Sequence, residues 1–146
     1  MPWVLKAKAD YGASQVLFCP NGDVQETGAS NFILIKGNEI ITKPLTDEFL
    51  HGVTRDSVLT VAKDLGYTIS ERNFTVDELK TAVEEGAEAI LTGTAAVISP
   101  VTSFVIDGKE IEVKSQERGY ALRKALTDIQ YGLAEDKHGW LVEVCR

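Results

Sequence analysis

The sequence predicts a mixed α/β (α+β) fold, a curved, barrel-like sheet with about three helices packed outside it, and three observations predict it. Short apolar runs of strand length are bounded by turn residues. Two pairs of these runs flank tight Gly-containing turns, Lys36-Gly37-Asn38 and Asp107-Gly108-Lys109, as hairpins do. Between them lie stretches with apolar residues at helical spacing that end at glycine or begin at a capping residue.

Taken in order, Val4 to Asp10 reads as the tail of a helix ended by Tyr11-Gly12, and Gln15-Val16-Leu17-Phe18-Cys19 reads as a strand. Pro20-Asn21-Gly22-Asp23 is a strong turn. Asn31-Phe32-Ile33-Leu34-Ile35 and Glu39-Ile40-Ile41-Thr42 form the first hairpin. A helix from Thr54 to Leu65 places Val58, Leu59, Val61, Ala62 and Leu65 on one side and stops at Gly66. Thr75-Val76-Asp77-Glu78 has capping-box spacing, so a second helix starts there, runs through Glu85 and stops at Gly86. Ala87 to Leu91 is a strand, and Val97-Ile98-Ser99-Pro100-Val101 is extended. Phe104-Val105-Ile106 and Glu110-Ile111-Glu112-Val113 form the second hairpin. Ser115 is placed to cap a longer helix with Leu122, Ala125, Leu126 and Ile129 at helical spacing. No repeat, low-complexity stretch or linker interrupts residues 1–146, which read as a single domain.

The chain has 146 residues, 44% of them hydrophobic and 25% charged, an ordinary globular composition able to bury a core without staples. No run of about 18 apolar residues suggests a membrane span, and the N-terminus turns polar too quickly for a secretory signal. Net charge is −7 with both signs mixed along the chain, which argues against a nucleic-acid partner. Cys19 and Cys145 read as reduced thiols of a cytoplasmic or organellar protein. His51 and His138 lie about 87 residues apart with no matching set of acids or thiols nearby in sequence, so no metal is expected.

Three segments carry chemistry. Leu50-His51-Gly52-Val53-Thr54-Arg55 is a Gly-led turn into a helix, whose first N–H groups and dipole favour an anion; alone, Thr54 serves equally as a plain cap. Leu91-Thr92-Gly93-Thr94-Ala95-Ala96 is a small-residue loop after a strand, open to close approach by a ligand, or simply a tight connection between strands. Glu26 precedes Gly28-Ala29-Ser30 and an apolar strand, where a carboxylate is most often a solvated loop acid.

Together, in fixed order, Glu26, Gly28, Asn31-Phe32, Ile40-Ile41-Thr42 and Leu50-x-Gly52-Val53-x-Arg55 resemble the signature of the fold-type IV pyridoxal-phosphate (PLP) enzymes. That group comprises branched-chain and D-amino-acid aminotransferases and aminodeoxychorismate lyases. Gly93-Thr94-Ala95-Ala96-Val97-Ile98-Ser99-Pro100-Val101, Asp128-Ile129-Gln130-Tyr131-Gly132, Glu135-Asp136 and His138-Gly139-Trp140 resemble the branched-chain members specifically. The resemblance runs from about residue 12 to the C-terminus and covers the large domain of those enzymes; Ile33 departs from it, an aromatic residue being common there. It implies that Glu26 faces the pyridine nitrogen of PLP and keeps it protonated. It implies that Leu50 packs on the cofactor ring, that the amides of Val53 and Thr54 after Gly52, with the Thr94 hydroxyl, hold the phosphate, and that Thr94, Ala95 and Ala96 meet the substrate carboxylate.

The implied activity is PLP-dependent transamination between leucine, isoleucine or valine and 2-oxoglutarate. That reaction needs a Schiff-base lysine, which in the family lies in a Lys-x-x-Gly-Asn-Tyr motif upstream of the position matching Glu26. No such motif occurs here, and Lys6 and Lys8 read as solvated surface residues. The expectation is therefore a truncated chain that lacks the small domain and the catalytic lysine, binds PLP weakly at best and is inactive alone. Apolar surface left uncovered in this way predicts self-association. A D-amino-acid aminotransferase or lyase of the same fold is the nearest alternative; a non-catalytic module that binds PLP or a partner is the alternative of another class.

Overall fold

A computed structural model of the chain describes residues 6, 9, 10, 12, 15–25, 27, 30–44, 52–93 and 97–142. In chain order its regular elements are β1 (Asn31–Lys36), β2 (Glu39–Thr42), α1 (Val53–Asp64), β3 (Thr68–Glu71), α2 (Val76–Glu84), β4 (Glu88–Gly93), β5 (Val97–Pro100), β6 (Ser103–Ile106), β7 (Lys109–Glu112) and α3 (Glu117–Gln130). Before them, Lys6, Ala9 and Asp10 are helical and Gly12 adopts φ +68°, as the helix tail requires.

Five strands form one sheet in the order β3-β2-β1-β4-β5. The β1–β2 hairpin closes around Gly37-Asn38 and pairs Ile35 with Ile40. β1 also pairs antiparallel with β4, and β4 with β5. β2 and β3 run parallel, so α1 is the crossover of a β-α-β unit. Thr68 to Glu71 is a strand absent from the sequence reading: only four residues of Thr-Ile-Ser-Glu, at an edge, carry too little alternating apolar signal. β6 and β7 make a separate hairpin whose turn has positive φ at both Asp107 (52°) and Gly108 (75°), matching the right-handed strand twist.

The sheet is buried on both faces. Ile33, Ile35, Ile40, Ile90 and Ile98 meet Val58, Leu59 and Ala62 of α1 and Leu122, Leu126 and Ile129 of α3. The alternate residues Phe32, Leu34, Ile41 and Ala89 meet Leu79, Ala82 and Val83 of α2, with Val24, Phe74 and Val113. Burial on both sides explains why β1 and β4 read as continuous apolar runs rather than as alternation. Each such side chain taken from water contributes about 1.5–3 kcal/mol.

Three expectations change. Among the described residues the sheet is open, with β3 and β5 at its edges, rather than closed like a barrel. Residues 15–19 are not a regular strand: Leu17 makes an isolated bridge to Thr27, and the Gln25 N–H donates to the Phe18 carbonyl at 2.9 Å. α3 begins at Glu117 after Gln116, and Ser115 only accepts from the Glu117 N–H at 3.2 Å. The stronger cap comes from the sheet. The buried Glu88 carboxylate accepts from the N–H groups of Arg118 (3.2 Å) and Gly119 (3.1 Å), with the Arg118 guanidinium 3.6 Å away. A side chain at Gly119 would meet Ile90 Cγ2 at 2.9 Å, so glycine there lets the helix sit directly on β4 and β5.

Candidate functional site

Strand polarity and the start of α1 place Gly52, Val53 and Thr54 at one end of the sheet. β2 ends there at Thr42, β3 at Glu71 and β4 at Gly93, while β1 starts there at Asn31 and α1 follows from the same side. The carboxyl ends of strands, next to a helix amino end, are where sheets with crossover helices bind ligands.

The amino ends of α1, α2 and α3 differ. α2 is capped by Thr75, whose side chain accepts from the Glu78 N–H at 3.2 Å. The Glu78 carboxylate does not complete a reciprocal box but pairs with Arg72 at 2.9 Å. α3 is capped by Glu88. α1 starts at Gly52, extended at φ −68°, ψ 126°, and among the described residues no side chain caps it. Its first intrahelical bond runs from the Asp56 N–H to the Gly52 carbonyl at 3.2 Å. The N–H groups ahead of that bond are the ones a phosphate would use. Val53 is 82% exposed and Thr54 half-buried, so this end is open to a ligand. Asp56 in the same turn offsets part of the dipole.

Arg55 locks this turn to the sheet. It is buried, its Nη2 donates to the Lys43 carbonyl at 2.9 Å, and Glu71 lies 3.9 Å away. Burial pulls the guanidinium below its usual pKa while Glu71 and Asp56 push it back up. Lys43 itself pairs with Asp23. Beneath the turn, on the face of the sheet that α1 covers, Asn31 and Thr92 stand opposite each other on β1 and β4. Thr42 donates to the Phe32 carbonyl at 3.3 Å, whereas the buried Thr92 hydroxyl has no partner among the described residues.

Of the residues expected to bind cofactor or substrate, Gly52, Val53 and Thr54 are together at this amino end. Glu26, Leu50, Thr94, Ala95 and Ala96 lie outside the described residues. Their described neighbours are held: Gln25 and Thr27 are tied to Phe18 and Leu17, and Gly93 pairs with Val97. Asn31 and Arg55 belong to the sequence motif, but their roles are not legible in it. Their contacts are with residues 12 to 21 positions away, and only the fold reveals them. Among the described residues no helix is long and apolar enough to cross a membrane. Cys19 is a free thiol whose pKa burial raises, and its expected relation to Cys145 lies outside the described residues.

Residues 3–104 match the model of the amino-transferase class IV family. The chain belongs to that family. Its fold agrees with the fold-type IV expectation. Among curated class IV relatives, a probable branched-chain-amino-acid aminotransferase of Streptomyces coelicolor is 44% identical over 123 residues, covering 81% of this chain and 34% of the relative. A methionine aminotransferase of Arabidopsis thaliana is 33% identical over 150 residues, covering 99% and 41%. Among solved structures, the branched-chain amino acid aminotransferase from Thermobaculum terrenum, in its PLP (holo) form, superposes with a TM-score of 0.78. It is 30% identical and is matched over 95% of this chain and 44% of its own. The chain thus spans less than half the length of these relatives.

Proposed function

We propose that this chain supplies the cofactor-clamping part of a PLP-dependent aminotransferase that exchanges amino groups between branched-chain L-amino acids and 2-oxoglutarate. One observation carries the reading: of α1, α2 and α3, α1 alone starts without a side-chain cap among the described residues, at the carboxyl ends of β2 and β4. That donor set fits a phosphate. The amides of Val53 and Thr54 donate to it after the Gly52 turn, and the Thr94 hydroxyl closes the other side. Leu50 packs against the ring. Glu26 holds the proton on the ring nitrogen, and the amides around Thr94, Ala95 and Ala96 orient the substrate carboxylate. When bound, PLP supplies the electron sink for chemistry at the substrate Cα.

These 146 residues contain no Lys-x-x-Gly-Asn-Tyr motif, so by themselves they bind PLP non-covalently and do not turn over. Exposed Tyr131, Leu133, Leu141 and Val142 support self-association. A methionine side chain is a second reading of the substrate, favoured by the 33% identical methionine aminotransferase. Equilibrium dialysis against PLP tests the binding role. Saturable binding weakened by Glu26→Gln and Thr94→Ala supports it; a lysine reduced onto PLP by borohydride refutes the non-covalent reading.

A further inference from the structure

We propose that Asn31 is a positioning residue for the amino end of α1, an inference that rests on the phosphate site just described. Gly52 is the starting observation. Its φ of −68° is open to any residue, so conformational freedom is not what requires glycine there. Space is. A methyl group built on Gly52 runs into Asn31 Oδ1, and it also meets Asn31 Cγ at 3.5 Å and Arg55 Cβ at 3.6 Å. The Asn31 carboxamide therefore lies directly beneath the Gly52 Cα.

Asn31 is itself buried and opens β1, the central strand of the sheet, in register with Thr92 of β4. The carboxamide is thus a spacer of fixed length on the most rigid part of the fold, and the α1 amino end rests on it. Arg55 supplies the complementary restraint, a 2.9 Å tether to the Lys43 carbonyl one turn further on. Contact from below and a tether from the side fix the height and tilt of the Val53 and Thr54 amides. Hydrogen bonds weaken steeply with distance and angle, so a side chain at 52 that lifts the turn misaligns these donors while the rest of the helix stays folded.

The test compares the unsubstituted chain with Gly52→Ala, Asn31→Ala, the double variant, and Gly66→Ala as a control. Gly66 has φ +91° and an empty surrounding at the far end of the same helix, so alanine there strains the fold without touching the contact. Two quantities are read: PLP affinity per folded molecule by equilibrium dialysis, and the melting temperature by circular dichroism. Gly52→Ala weakens PLP binding about tenfold, the loss of one charge-assisted hydrogen bond. Adding Asn31→Ala restores most of that affinity, because the new methyl occupies the volume the carboxamide leaves. Gly66→Ala lowers the melting temperature and leaves affinity unchanged. A Gly52→Ala chain that binds normally, or a double variant no better than Gly52→Ala, overturns the proposal. If Gly52→Ala does not fold, recovery of folding in the double variant supports the contact and its failure to recover overturns it. Absence of PLP binding by the unsubstituted chain refutes the phosphate site and this inference together, and is recognised because it precedes any substitution.

Discussion

Replacing Glu88 with alanine removes a carboxylate that works from inside the molecule. The side chain is about 2% exposed and accepts two N–H groups of the first turn of α3, at 3.1 and 3.2 Å, with Arg118 3.6 Å away. Hydrogen bonds to a charged group contribute about 1.5–3 kcal/mol each, and burying the carboxylate returns part of that gain. The vacated site also leaves two amides without an acceptor. The net loss is about 2–4 kcal/mol. For a chain of this size each kcal/mol lowers the melting temperature by roughly 2–4 °C, so the fall is roughly 5–15 °C. Glu88→Gln keeps one acceptor oxygen but turns its NH2 donor toward the second N–H, so it also destabilises the chain. Thermal unfolding followed by far-ultraviolet circular dichroism measures both. An alanine variant or a glutamine variant melting with the unsubstituted chain refutes the assignment of Glu88 as the cap of α3.

Two further predictions concern other anchors. Arg55→Met keeps the apolar stem but loses the bond to the Lys43 carbonyl, and it destabilises the chain by about 1–3 kcal/mol in a denaturant titration, with hydrogen exchange fastest at the start of α1. The Asp136 carboxylate is held below its usual value of 3.8 by the N–H groups of Leu141 and Trp140, at 2.7 and 3.0 Å. A pKa depressed on folding stabilises above the unfolded value and is lost as pH falls through the folded one. The 136–141 turn therefore opens only below about pH 4, seen as a change in Trp140 fluorescence, and Asp136→Asn removes the pH step.

Local chemistry was legible in the sequence and distant chemistry was not. Thr75 announces α2 because the acceptor and the N–H it satisfies are three residues apart. Gly37-Asn38 and Asp107-Gly108 announce their hairpins because the turn itself dictates the backbone. Ser115 looked like the cap of α3 by the same local logic, but an acid 30 residues earlier does most of that work, which no window of sequence contains. β3 was invisible because its pairing with β2 exists only after α1 has carried the chain back across the sheet. At the site, the Gly-led helix start was readable from Gly52 to Arg55. That glycine is needed for room above Asn31, and not for its torsion angles, became visible only with β1 and α1 packed together.

In the proposed function, everything depends on phosphate being held by the amino end of α1. The most direct test is a 15N-labelled amide spectrum of the chain titrated with PLP and, separately, with inorganic phosphate. Val53 and Thr54 should shift with both, while Arg118 and Gly119, already occupied by Glu88, stay in place. Movement of the α3 amides with Val53 and Thr54 unmoved would contradict it.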